Sequence, residues 1–321
     1  DIEGPSKHLL EKYFLTCFRH GYLRTGGCVV PVYFKQFGDA VQSMEIRDDD
    51  VWVCSFPKTG TTWTQEMVWC IANDLDFEGA KVNLPERFPF LEHTPLFNYE
   101  DVLPQHPDLK LPDYVINSVT YINTMPSPRF IKSHLPYHLL PTQLRSGKTQ
   151  AKIIYTARNS KDTCLSYFHH CQLLEGYKGS FDEFAELFIT DSVIFAPFWD
   201  HILSYWNRRD DPNLLFLKFE DMKKDLPAVV KKTADFLGKE LTSGEMATLC
   251  EHLSFESMKK NPSVNYEHVV EINRKYRFTE GEGCFHRSGQ VGGWKVQMNP
   301  NWISRFDQWD RDNLLGSDFS F

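Results

Sequence analysis

The chain has 321 residues, 43 acidic against 35 basic, for a net charge of −8. With 41% hydrophobic and 24% charged residues, the composition is that of a globular protein and excludes disorder or a fibrous repeat. The acidic balance excludes a general binder of nucleic acid or anionic membrane, so an anionic ligand must be held by a local cluster of bases.

No internal repeat, low-complexity tract or Gly/Ser linker divides the chain, so a single domain over 1–321 is expected, with its core at about 30–310. The opening segment has no apolar signal region. The first clear strand is VWVCSF (51–56), which runs into Pro57-Lys58-Thr59-Gly60-Thr61-Thr62, after which a helix is predicted over 62–73. From 81 to 127 seven prolines (85, 89, 95, 104, 107, 112 and 126) interrupt any periodicity, and an irregular segment that long is expected to be a binding loop or lid unless it is an inert excursion. RFIKSH (129–134) and KIIYTA (152–157) are further strands, followed by a helix over 161–174. The richest apolar run, 193–199, is broken by Pro197 and falls short of the roughly 18 residues that a membrane span needs. FWDHILSYWNRR (198–209) carries Phe198, Trp199, Ile202, Leu203 and Trp206 at helical spacing and precedes a fourth strand, LLFLKF (214–219). Beyond Lys223 the pattern reads as helices, a Gly-rich stretch (GEGCFHRSGQVGG) and a short Trp-containing tail. Strands alternating with helices predict an α/β fold with a central parallel sheet covered on both faces. The eight cysteines (17, 28, 54, 70, 164, 171, 250 and 284) form no CxxC pair, which argues for reduced thiols in the cytoplasm over a zinc site or disulfide framework.

The strand–turn–helix at 51–63 is the strongest chemical signal. Backbone N–H groups and a helix N-terminus converge there on one point, Lys58 adds a charge, and Thr59, Thr61 and Thr62 add hydroxyls. It is not a Walker A loop, because Lys58 precedes the only glycine, Gly60. In ARNSKDTCLS, Arg158 stands at a strand end and Ser166 eight residues on, about two helical turns, so both can converge on one anion. In KSHLP, His134 closes a strand at the sheet's carboxyl edge, with Lys132 on the same strand face. His169 and His170 are expected to be packing or surface residues.

SFPKTGTTW resembles the 5′-phosphosulfate loop of the cytosolic sulfotransferases, usually TYPKSGTTW. KSHLP (132–136), ARNSKDTCLSYFHH (157–170), LKFEDMKKDL (217–226), HLSFESMKKNPSVNY (252–266) and RSGQVGGWK (287–295) match that family in the same order. The resemblance implies a P-loop-like fold and transfer of a sulfuryl group from 3′-phosphoadenosine-5′-phosphosulfate (PAPS), leaving adenosine-3′,5′-bisphosphate (PAP), with no metal. It implies that Arg158, Ser166, Arg287, Ser288 and Gly289 hold the 3′-phosphate, although the family commonly has Lys where Ser288 stands. It implies that Trp63, Phe219, Leu253, Ser254, Phe255 and Phe285 surround the adenine, with Phe219 and Leu253 replacing a family Tyr and Thr. His134 is implied as general base, Lys58 and Lys132 as charge stabilisers, and Ser166 as a partner that holds Lys58 back until an acceptor binds.

The stretch between Trp63 and His134 is longer than expected of vertebrate members, so an invertebrate member is expected. In the family this region walls the acceptor pocket, here with Phe88, Phe90, Leu91, Phe97 and Tyr114, alongside Phe56, Lys132 and His134. Such a wall suits a lipophilic alcohol or phenol, including a steroid or retinoid. The family's dimer motif is broken: Asn299 and Pro300 stand where Thr and Val are usual, and Ser304 replaces a Glu, which leaves the oligomeric state open. Three other readings stand at this point. Glu220-Asp221 after an apolar strand suits a magnesium-dependent nucleotide kinase, a non-catalytic lipophile binder is possible, and sulfation of an allylic alcohol would lead to dehydration.

Overall fold

The computed structural model describes residues 2–321. An N-terminal hairpin pairs β1 (Tyr22–Thr25) with β2 (Cys28–Pro31) around Gly26 and Gly27, both at positive φ. This hairpin was not among the expected elements, although Gly-Gly between two short apolar runs is its usual signal. The central sheet holds β3 (Val51–Ser55), β4 (Phe130–Ser133), β5 (Lys152–Ala157) and β6 (Leu214–Lys218), in the order β4-β3-β5-β6 and parallel throughout. These are the four strands read from the sequence. They carry continuous apolar runs because helices cover both faces. Trp52 and Cys54 of β3 face one core, with Tyr155 and Phe216, while Val51 and Val53 face the other, with Ile154 and Leu217. At the amino ends, Arg129 and Asp50 form a buried two-pronged ion pair, Nε–Oδ1 2.8 Å and Nη2–Oδ2 2.5 Å, which pins β4 to β3.

The predicted helices are present within a residue or so of their expected starts. Thr61–Ala72 follows β3; Ser160–Leu174 follows β5, with the Asn159 side chain accepting the Lys161 N–H at 3.0 Å; Phe198–Trp206 precedes β6. Two regions differ from expectation. The Trp-containing tail is a 14-residue helix, Pro300–Asn313, whose Trp302 and Phe306 are buried. Asn299 accepts the Trp302 N–H at 2.9 Å as its cap and Pro300 opens its first turn, so the residues that break the family's dimer motif serve here as a helix start. The segment 81–127 is not unstructured either, since it holds short helices at Leu84–Arg87, His93–Leu96, Asp113–Ile116 and Ser118–Thr124. No helix among the described residues is long and apolar enough to cross a membrane, and all eight cysteines are free thiols.

Candidate active site

All four strands of the sheet deliver a residue to one cavity of about 380 Å³ at their carboxyl ends. β3 leads into the turn 57–60, where Lys58 (φ 69°) and Gly60 (φ 104°) both take the left-handed conformation. That geometry turns the turn's N–H groups toward the start of the helix Thr61–Ala72. A Cβ on Gly60 would stand 2.7 Å from the Phe219 ring, and one on Gly289 2.4 Å from Phe255, so each glycine lets the chain pack against an aromatic wall. Lys58, Gly60, Thr61 and Thr62 line the cavity. The Thr59 side chain does not, because its hydroxyl donates inward to the carbonyls of Phe56 and Thr156, both at 2.8 Å.

β5 ends at Arg158, which lines the same cavity with Ser166, Arg287, Ser288 and Gly289. Arg158 donates to the Lys58 carbonyl at 3.3 Å and the Gln290 carbonyl at 2.9 Å, while its buried Nε has no partner among the described residues. Asp162 holds the Gly-rich stretch in place by accepting the N–H of Gly292 (2.6 Å) and Trp294 (3.2 Å). An unpaired guanidinium nitrogen beside a glycine-lined cradle is what a bound phosphate would complete. Trp63, Phe219, Leu253 and Phe255 form a slot next to it; the Trp63 indole N–H donates to the Leu253 carbonyl at 2.9 Å. Ser254 stays outside, capping the helix Phe255–Lys260. Phe285 lines the same cavity, with the Lys58 ammonium 3.9 Å from its ring centroid. Lys58 therefore rests on an aromatic face.

β4 supplies Lys132 and His134. The His134 Nδ1–H donates to the Ser55 carbonyl at 2.7 Å, which leaves Nε2 as the nitrogen with a free lone pair. Its carbonyl accepts from the Nε2–H of His201 at 2.8 Å, and the His201 Nδ1 accepts the Tyr155 hydroxyl at 2.8 Å. Burial pushes His134 well below the ordinary imidazole range, and Lys132's charge adds to this, so the ring is neutral at physiological pH. Burial also pushes Lys132 down to about 8, and Lys58 down to about 7, where the charges of Lys132 and Arg158 assist.

The segment 81–127 contributes Phe88, Phe90, Phe97 and Tyr114 to the wall, as expected. Phe56 and Leu91 are not in it. Phe56 is fully buried among Tyr167, Phe188, Phe198 and His201, and Leu91 is fully buried in the core on the hairpin side. Leu91 lies on chain whose backbone pairs with β4, and Phe56 directly follows β3. The Leu91 N–H donates to the Lys132 carbonyl at 2.9 Å, and the Lys132 N–H to the Pro89 carbonyl at 2.9 Å. Residues 89–92 thus add a short parallel edge to β4. That edge brings in Glu92, which no local signal in the sequence marked: its carboxylate accepts the Ser133 hydroxyl at 2.5 Å and the His134 N–H at 3.0 Å. His169 and His170 were expected to be packing or surface residues, yet both line the cavity, His170 3.3 Å from Glu175, itself paired with Arg19 at 2.7 Å. Phe18, His93, Tyr99, Phe195 and Ile272 also line it without having been foreseen. Nothing local marks them, because four separate segments meet there. Glu220, the acid of the kinase reading, is outside the lining and accepts the Asn159 N–H at 2.8 Å.

The turn at Lys58–Thr62 and the neutral His134 ring thus belong to one cavity at the carboxyl edge of the sheet. The sulfotransferase domain profile matches residues 48–318, and the chain belongs to that family. Its reaction class is PAPS-dependent sulfuryl transfer. It is 40% identical over 313 residues to the luciferin sulfotransferase of Photinus pyralis, covering 97% of this chain and 84% of that one. Against the amine sulfotransferase of Oryctolagus cuniculus the identity is 36% over 274 residues, covering 84% and 82%. Among solved structures it is similar to retinol dehydratase in complex with retinol and PAP (31% identity, TM-score 0.88, covering 100% of this chain and 97% of that one). The same enzyme in complex with androsterone and PAP matches with the same coverage and TM-score at 30% identity.

Proposed function

We propose that this chain transfers the sulfuryl group of PAPS to the hydroxyl of a small uncharged lipophile, with His134 as general base. The observation that carries the reading is the His134 ring, whose tautomer is set by the Ser55 carbonyl and whose free Nε2 belongs to the cavity that the phosphate turn also lines. PAPS supplies the activated sulfuryl group and leaves as PAP. The orphaned Arg158 Nε, with Ser166 and the Arg287-Ser288-Gly289 stretch, fits its 3′-phosphate; the turn at Lys58–Thr62 fits its 5′ end; the Trp63 and Phe255 slot fits adenine. His134 takes the acceptor's proton as the hydroxyl oxygen bonds to sulfur. Lys58 and Lys132 carry the charge that gathers on the transferring and leaving oxygens, as two cations already aimed at the site.

The acceptor side is built from Phe88, Phe90, Leu96, Phe97, Tyr114 and Phe195. Its buried acid, Glu175, is committed to Arg19, so no buried carboxylate of the described lining is free to balance an ammonium. That favours an alcohol or phenol over an amine and fits the named ligands of the similar solved structures, androsterone and retinol. The likeness to retinol dehydratase also favours a second outcome with an allylic alcohol: the sulfate formed departs with its C–O electron pair, a neighbouring C–H proton is lost, and a new C=C bond remains. The test is transfer of labelled sulfate from PAPS to a panel of phenols, steroids, retinoids and amines, with products weighed by mass spectrometry to separate sulfate ester from dehydrated alcohol. H134A is expected to lose on the order of 10² or more in kcat while PAP still raises its Tm. Transfer by H134A at the wild-type rate removes His134 from the mechanism, and no effect of PAP on the wild-type Tm removes the donor.

A further inference from the structure

The acceptor wall is largely aromatic, and among the polar side chains in it that the mechanism does not use, His93 stands nearest in sequence to the pair Phe90 and Glu92 beside His134. His93 lines the cavity between Phe90 and Phe97, with ring centroids 6.2 Å and 5.3 Å away. Phe90 in turn lies 5.0 Å from the His134 ring, so a single aromatic ring separates His93 from the base. The polar groups of Glu92, Thr94 and Ser118 are spoken for, whereas the Tyr99 and Tyr114 hydroxyls of the same segment make no hydrogen bond among the described residues. Glu92 holds Ser133 and His134, the Thr94 hydroxyl donates to the Val115 carbonyl, and the Ser118 hydroxyl donates to the Leu91 carbonyl. The His93 ring makes no hydrogen bond among the described residues; burial and the charge of Lys132 hold it neutral, pushed down to about 3. A neutral imidazole carries one donor and one acceptor. Left dry against Phe90 and Phe97, both go unpaired once a purely hydrocarbon acceptor fills the cavity, and an unmade buried hydrogen bond is costly.

We infer that His93 is a polar subsite of the acceptor chamber, and that the preferred acceptor carries a second oxygen function, a carbonyl, hydroxyl or carboxylate, about one ring's breadth from the hydroxyl that is sulfated. This rests on the reading of the chain as a sulfotransferase with its acceptor beside His134, and it narrows the acceptor from any lipophilic alcohol to a bifunctional one. A site built to hydrogen-bond a polar function rejects the analogue that lacks it far more strongly than an apolar pocket discriminates by size.

The experiment uses pairs of fused-ring phenols and cyclic alcohols, each pair differing only by a second oxygen function placed at increasing distance from the reacting hydroxyl. Binding in the presence of PAP is followed by tryptophan fluorescence, and kcat/KM with PAPS is measured in parallel, for wild type, H93F and H93Q. At one spacing the oxygenated member is expected to bind wild type on the order of tenfold or more tightly than its deoxy partner. H93F should abolish that ratio and H93Q retain part of it, and the ratio between the two members of a pair, not the turnover of either, is what decides. Equal binding of both members at every spacing by wild type overturns the inference, whatever the variants do. So does a preference that persists undiminished in H93F. Binding without any sulfated or dehydrated product would overturn the proposed reaction, and the affinity ratio would still decide the role of His93.

Discussion

Two lysines in this cavity sit near the edge of deprotonation. Lys58, at about 7, and Lys132, at about 8, are held low chiefly by burial. A polyanionic nucleotide favours the ammonium forms and so raises both values in the complex. Nucleotide affinity is therefore full below about pH 7 and declines as pH rises through the free-protein values toward those of the complex. PAP binding between pH 7 and 8 should take up protons, seen by calorimetry as a binding heat that varies with the buffer's ionisation enthalpy. A heat independent of buffer would mean that the lysines are already fully charged in the free protein. His134 moves the other way in consequence: being neutral well below the usual range, it gives no activity limb near pH 6, and loss of activity on the alkaline side belongs to the lysines.

The element that decides the base's position is the short edge 89–92 added to β4. Glu92 is fully buried, and its carboxyl is pushed up to about 7 by burial, against the pull of the Ser133 hydroxyl and the His134 N–H. On the proposed mechanism it is a positioning residue, acting on the reaction only through His134 and its strand. E92Q keeps an acceptor oxygen but must aim an amide N–H at one of two groups, of which the His134 N–H can only donate. A drop in kcat of about tenfold or more is expected, with a smaller change in PAP affinity and with E92D partly restoring the rate. Equal losses in kcat and PAP affinity would point instead to general disruption of the sheet edge. The same edge bears on the lid reading of 81–127. Within that segment, residues 89–92 pair with β4 and the Ser118 hydroxyl donates to the Leu91 carbonyl.

Across the whole molecule, that stretch closes the cavity by meeting segments from both ends of the chain. Phe18, Val102, Leu109 and Phe278 form a small core of their own, flanked by Phe97, Tyr99 and Ile272. Outside it, Asp108 accepts from the Tyr276 hydroxyl at 2.9 Å and from Lys275 at 3.3 Å. A satellite core detached from the two that sandwich the sheet can open on its own. F278A should speed amide exchange in 97–111 and 267–279 and raise the acceptor KM several-fold, while exchange in β3 and β5 and the affinity for PAP stay as in wild type. Uniform acceleration through the sheet would show that the closure is part of the main fold.

The sequence by itself determined the sheet, the turn at Lys58–Thr62 and the place of His134 at the end of a strand. Each is written locally: an apolar run of strand length, a Lys-Thr-Gly-Thr-Thr turn before a helix, a histidine at a strand end. Local patterns survive because backbone geometry and side-chain periodicity act over a few residues. Only the tertiary structure decided what surrounds them. Glu92 reaches Ser133 and His134 across some forty positions, His201 reaches the His134 carbonyl across 67, and Trp63 finds Leu253 across 190. The resemblance also named Phe56 and Leu91 as pocket residues, and both are fully buried in the core outside the lining, which only the packing of distant segments decides. His93 went unread for the converse reason: its meaning lies in the lack of any partner among the described residues, which can be seen only once every neighbour is in place.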